Sequence, residues 1–173
     1  GSVGAAGGSS YDSVSGTDYV DGAGNTFGGV ADSGQFAYQA VTGNFTLTAH
    51  VNSFLGSNPL AQVGLMMRDS TDPTAMNAAL FLQGGDAVYQ NRGADGADTA
   101  IAPLADVSTP QWLKLVRSGS QITASVSSDG STYTQVWSAN LNLPTNTFDV
   151  GLAVSSNTTG ATAGAVFSNV LIS

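Results

Sequence analysis

A chain of 173 residues is long enough to bury one sizeable core, yet only 9% of it is charged, far below the roughly 25% of ordinary soluble domains. All twelve acids are Asp, the four bases are Arg68, Arg92, Lys114 and Arg117, and the net charge is −8, so neither nucleic acid nor an anionic membrane finds the basic patch it needs. The absence of cysteine and the single His50 exclude disulfides, thiol catalysis and a Cys- or His-rich metal centre.

In chain order, the first forty residues are rich in Gly and Asp but carry Tyr11, Tyr19, Phe27, Phe36 and Tyr38, and they read as opening strands rather than as a linker. No basic segment followed by an apolar run marks a signal peptide there, so the chain reads as a mature or excised segment. Phe45, Leu47, Ala49 and Val51 alternate with Thr46, Thr48, His50 and Asn52, the period of a strand buried on one face. "VGLMMR" and "AALFLQ" are apolar enough to be central strands. From Trp112 to Trp137 the sequence predicts a three-stranded meander, with Ser118-Gly119-Ser120 turning the first pair and Asp129-Gly130 the second. Val150, Leu152 and Val154 then alternate with small residues. Without Glu, and with little Lys or Arg, long surface helices are not expected. The expected architecture is all-β: a two-sheet antiparallel β-sandwich over residues 1–173, as a single module.

The stretch "SSDGSTYTQVW" has the composition of the Asp-box of sialidase-like proteins. Asp129 and Gly130 are adjacent, however, where that motif places a residue between them, so the stretch reads as a hairpin.

"QVGLMMRDS", "AVYQNR", "WLKLVRSGSQITASVSSDGSTYTQV" and "VGLAVSSNTTGATAGAVFSNVLI", together with "GGVADSGQFAYQAVTGNFTLTAHV", resemble a bacterial module of the concanavalin A-like lectin/glucanase superfamily. The resemblance covers nearly the whole chain and rests on the order and spacing of these segments rather than on one motif. It implies a jelly-roll sandwich appended to secreted carbohydrate-active or cell-surface proteins, in many members without catalysis. Where such relatives often end in Phe-Asp-Asn-Val, this chain has Phe167-Ser168-Asn169-Val170, so an aspartate suited to a structural ion is a serine here. No cofactor is expected. A structural calcium ion held by the loops "DYVDGAGN" and "GADGAD" is the alternative, although neither loop has EF-hand spacing.

Catalysis is not expected. The glucanase branch resembled carries paired glutamates, and this chain has none; Asp69 and Asp72 flank a turn, and Asp95 and Asp98 lie in a Gly/Ala loop. No nucleophile elbow offers a serine to His50. A carbohydrate-binding face instead needs exposed rings to stack on C–H faces, with amide and guanidinium groups for the hydroxyls. The predicted ligand-binding residues are Arg68, Asn77, Gln83, Tyr89, Gln90, Arg92, Trp112 and Lys114, on four strands expected to share a sheet. Taken singly, an arginine beside aspartates reads as a structural ion pair and a tryptophan as core. Should that sheet not bind, the loops around Asp95 and Asn157 are next. The expected function is a non-catalytic module binding a polysaccharide, extracellular or at the cell surface, monomeric within a larger chain. The competing expectation is a structural or adhesive spacer.

Overall fold

The computed structural model describes residues 1–106 and 111–173. Fourteen strands follow in chain order: β1 (Ser2–Val3), β2 (Gly7–Asp12), β3 (Thr17–Gly24), β4 (Gly34–Thr42), β5 (Phe45–Leu55), β6 (Gln62–Arg68), β7 (Asn77–Gln83), β8 (Asp86–Arg92), β9 (Ala100–Asp106), β10 (Gln111–Ser118), β11 (Gln121–Ser127), β12 (Thr134–Asn140), β13 (Thr147–Ser155) and β14 (Thr158–Ile172). They form two seven-stranded antiparallel sheets. The first runs β1-β4-β13-β6-β7-β8-β9 and the second β12-β11-β10-β5-β14-β3-β2. This is the two-sheet antiparallel β-sandwich that the alternation predicts, of the jelly-roll type that the resemblance implies. There is no helix among the described residues, hence none long and apolar enough to cross a membrane.

The period of two places the inner faces. Phe45, Leu47, Ala49 and Val51 of β5 and Leu113 and Leu115 of β10 point toward the first sheet. Val63, Leu65 and Met67 of β6, Leu80 of β7, Tyr89 of β8 and Val150, Leu152 and Val154 of β13 meet them from the other side in one buried cluster. The segments "VGLMMR" and "AALFLQ" are neighbouring central strands, β6 and β7, in the register Arg68↔Asn77 and Met66↔Ala79.

These central strands are buried on their outer face too, which explains why they read as continuous apolar runs rather than as alternation. The segment between β3 and β4, residues 25–33, lies across the outer face of the first sheet. Phe27 stacks on Phe81 with ring centroids 5.6 Å apart, and Val3, Phe36, Met66, Ala79 and Ala153 complete this second apolar cluster. Gly34 leaves the space that the Phe27 ring occupies.

The meander is β10-β11-β12, and its turns use Gly119 and Gly130 with φ of 62° and 73°, the left-handed region where glycine carries no Cβ penalty. Asp129 accepts hydrogen bonds from the Ser127 hydroxyl and from the Ser131 and Thr132 N–H groups, which hold its carboxyl well below the usual carboxylate range. The quoted stretch is thus a self-capped hairpin turn.

Candidate functional site

The eight predicted ligand-binding residues do not share a sheet. Arg68, Asn77, Gln83, Tyr89, Gln90 and Arg92 are on β6, β7 and β8 of the first sheet, whereas Trp112 and Lys114 are on β10 of the second. The expectation that they converge is corrected by the connection after β9, which carries the chain to the other layer. Conventional strand patterning does not encode which layer the next strand joins.

Within the first group the side chains serve the fold. Arg68, Asn77, Gln90 and Arg92 have no exposed surface. They face outward from their own sheet, but residues 25–33 cover them. At the centre is Asp32, whose carboxylate takes Arg68 Nη1 at 2.7 Å and Asn77 Nδ2 at 2.8 Å on one oxygen and Arg92 Nη2 at 2.6 Å on the other. The guanidiniums spend their remaining donors on backbone. Arg68 donates to Ser70 O and Asp72 O, and Arg92 donates to Pro73 O, Ala75 O and Gly29 O. Gln90 donates to Phe27 O, and Gln62 accepts from Phe27 N–H at 2.7 Å. Burial lowers the Arg68 pKa from its ordinary value and the Asp32 charge offsets this. Gln83 is half-buried and donates to Leu60 O. Tyr89 points the other way, into the core, where its ring stacks 5.6 Å from Trp137 and burial pushes its hydroxyl pKa up.

Trp112 and Lys114 stand on the outer face of the second sheet. The indole lies 4.7 Å from the His50 ring, contributed by β5 on one side. On the other side, next to β11, a Cβ placed on Gly130 would come within 2.5 Å of Trp112 Cε2. The indole is therefore packed against a histidine and a hairpin turn and is half-buried. Lys114 Nζ sits 4.0 Å from the centroid of the Tyr133 ring.

The loops that Arg68 and Arg92 hold in place have a different character. They follow β6 and β8, and at that end of the sandwich they meet the segment leading into β13. A cleft of 270 Å³ opens there, lined chiefly by Asp69, Met76, Asp95, Asn142 and Pro144. Asp69 N–H donates to Met76 O at 3.2 Å, and Asp95 Oδ1 accepts from Met76 N–H at 2.9 Å, so Met76 fixes both acids relative to each other. Asp69 Oδ1 is buried and has no hydrogen-bond partner among the described residues. Loss of solvent, and then the nearby Asp95 charge, raise the Asp69 carboxyl above the ordinary value, against the opposing pull of Arg68. The cleft thus offers the Asp69 and Asp95 carboxyls, the Asn142 amide and two apolar walls. Among the described residues no three acids or histidines converge, the loops "DYVDGAGN" and "GADGAD" included.

Sequence reasoning weighed Asp69 and Asp95 as members of separate turns. Their shared position, each shortly after the arginine that ends a strand, was the available signal; Asn142 and Pro144 gave none, Asn142 lying 47 residues beyond Asp95 and 73 beyond Asp69.

Comparison with other proteins defines a class of fold first. No family's sequence profile matches the chain, and no curated protein matches it in sequence. Among solved structures it is similar to a functionally unknown protein from Saccharomyces cerevisiae (TM-score 0.72, 18% identity, 96% of this chain and 91% of that one). It is also similar to an alginate lyase of Polysaccharide Lyase family 7 (TM-score 0.58, 13% identity, 95% and 81%). A third similar structure is the carbohydrate-binding module CBM66 from Bacillus subtilis (TM-score 0.55, 15% identity, 99% and 93%). The chain shares its fold with carbohydrate-active β-sandwiches, both binding modules and enzymes.

Proposed function

We propose that this chain is a non-catalytic carbohydrate-binding module of the concanavalin A-like type, carried by a secreted or cell-surface protein, and that it takes its ligand in the cleft between Asp69, Asp95 and Asn142. The observation that carries the reading is a cleft of 270 Å³ whose lining brings the Asp69 and Asp95 carboxyls and the Asn142 amide together. Carboxylate oxygens on the cleft wall accept hydrogen bonds from sugar hydroxyls. The Asn142 amide both donates and accepts, which suits a vicinal diol, while Met76 and Pro144 give the C–H face of a ring an apolar surface. The fold shared with CBM66 is consistent with this use, although fold alone does not fix function.

The cleft lining contains no Glu, His, Tyr, Lys or Arg, and Asp95 is engaged by the Met76 N–H. The acid and base of a glycosidase must flank the scissile bond on opposite sides. Two aspartates bridged by one residue are better suited to holding hydroxyls than to that task.

A polysaccharide and glycan-array screen of the purified chain, repeated with Asp69→Asn and Asn142→Ala, tests the proposal. Binding lost in both variants, with melting curves unchanged, supports it. Binding retained in both moves the site away from this cleft. Hydrolysis of a bound oligosaccharide, abolished in Asp69→Asn while binding persists, converts the module into an enzyme.

A further inference from the structure

The charge inventory around the cleft narrows the ligand class, an inference that rests on the carbohydrate reading above. The chain has four basic side chains, and each is committed elsewhere. Arg68 and Arg92 are buried on Asp32. Arg117 donates to Gly119 O, Gly43 O and Asn146 O, with its guanidinium carbon 4.8 Å from the centroid of the Phe148 ring. Lys114 lies over Tyr133 on the second sheet, and it does not line the cleft.

A carboxylate or sulfate on a glycan therefore meets no cation in the cleft. It meets two aspartates. Like charges in one cleft oppose binding, and the net charge of −8 opposes approach as well. An ammonium group reverses both effects. It brings three donors to acceptor-only carboxylates and forms charge-assisted hydrogen bonds, roughly twice as strong as neutral ones.

We propose that the glycan held between Asp69 and Asp95 is an amino-sugar polymer with unacetylated amines, and that polyuronates and sulfated glycans are excluded. The shared fold with an alginate lyase thus does not extend to acidic substrates at this site.

The test is calorimetric titration of the purified chain with β-1,4-linked glucosamine hexamer, its fully N-acetylated counterpart, cellohexaose and an oligomannuronate, all near pH 6. Glucosamine hexamer is expected to bind at least about tenfold tighter than the acetylated and neutral hexamers, the equivalent of ~1.4 kcal/mol. Asp69→Asn and Asp95→Asn should each remove most of that preference. Asp21→Asn removes the same charge from an exposed strand position outside the cleft and should leave it intact. Equal loss in all three variants would show attraction to an acidic surface only, and the proposal falls.

Acetylated or neutral hexamers binding as tightly, with sensitivity to Asp69→Asn, would keep the carbohydrate reading and overturn the amino-sugar assignment. Oligomannuronate binding would overturn it as well. No binding by any of the four would count against both.

Discussion

Arg68 and Asp69 are consecutive residues with opposite fates. Arg68 ends β6 inside a hub where the Asp32 carboxylate meets two guanidiniums and an amide, and where the donors left over find backbone oxygens. Asp69 begins the next loop with a buried oxygen that finds nothing. Both clusters are polar and both lie against the same sheet. The hub pairs its charges and acts as scaffold, although Asn77 Oδ1 within it is also buried without a donor, whereas the Asp69 carboxyl has no ion-pair partner among the described residues. The hub has a part in the site all the same, because the oxygens that Arg68 and Arg92 hold belong to the loop that supplies one wall of the cleft.

The most severe way to break this contrast is Asp32→Ala. It leaves two buried guanidiniums without their counter-ion, and a loss of about 3–5 kcal/mol is expected in equilibrium urea unfolding. A loss below about 1 kcal/mol would mean the hub is not the keystone, since that is the range of exposed ion pairs.

The same contrast extends to the outer face of the second sheet. Trp112 is packed against His50 and the Gly130 turn but only half-buried, so Trp112→Ala should cost about 2 kcal/mol, less than the ~3–5 of a fully buried ring. Glycan affinity should not change. Loss of binding with an unaltered melting curve would restore this ring as a ligand platform.

Gly130→Ala sharpens the point with one methyl group. It meets both a φ of 73° and the indole ring, and about 1–2 kcal/mol of stability should be lost in thermal unfolding.

The smallest effect on stability belongs to the cleft. The Asp69 carboxyl is raised in the folded protein, so the native state binds its proton more readily than the unfolded chain does. That contribution favours folding only at acid pH and turns unfavourable as pH rises through the folded value. Asp69→Asn should consequently leave melting temperature unchanged or slightly higher at pH 7, and the difference from wild type should shrink as pH falls below the ordinary Asp range. A variant clearly less stable at pH 7 would place Asp69 with the hub, as scaffold.

Much of the architecture was legible because strands carry their burial in a period of two. β5 and β10 alternate and are buried on one face, and Asp-Gly and Ser-Gly-Ser punctuate the meander where left-handed backbone is needed. The candidate binding set was less legible. Arginines and glutamines in apolar strands read equally as a binding array or as a satisfied buried network, and their partner Asp32 is 36 and 60 residues away from Arg68 and Arg92.

The sequence by itself determined the fold class, the absence of Glu- or Cys-based chemistry, and a charge balance hostile to polyanions, because these depend on residue type and local period alone. Tertiary structure decided the rest. It sent β10 to the opposite sheet from β8, drew residues 25–33 over the polar strands, and brought Asp69, Asp95 and Asn142 to one cleft. Those outcomes depend on which surfaces pack against one another across tens of residues, and a carboxylate's availability is a property of its neighbours in space: Asp32 is saturated and Asp69 is not, though nothing in the two residues themselves differs.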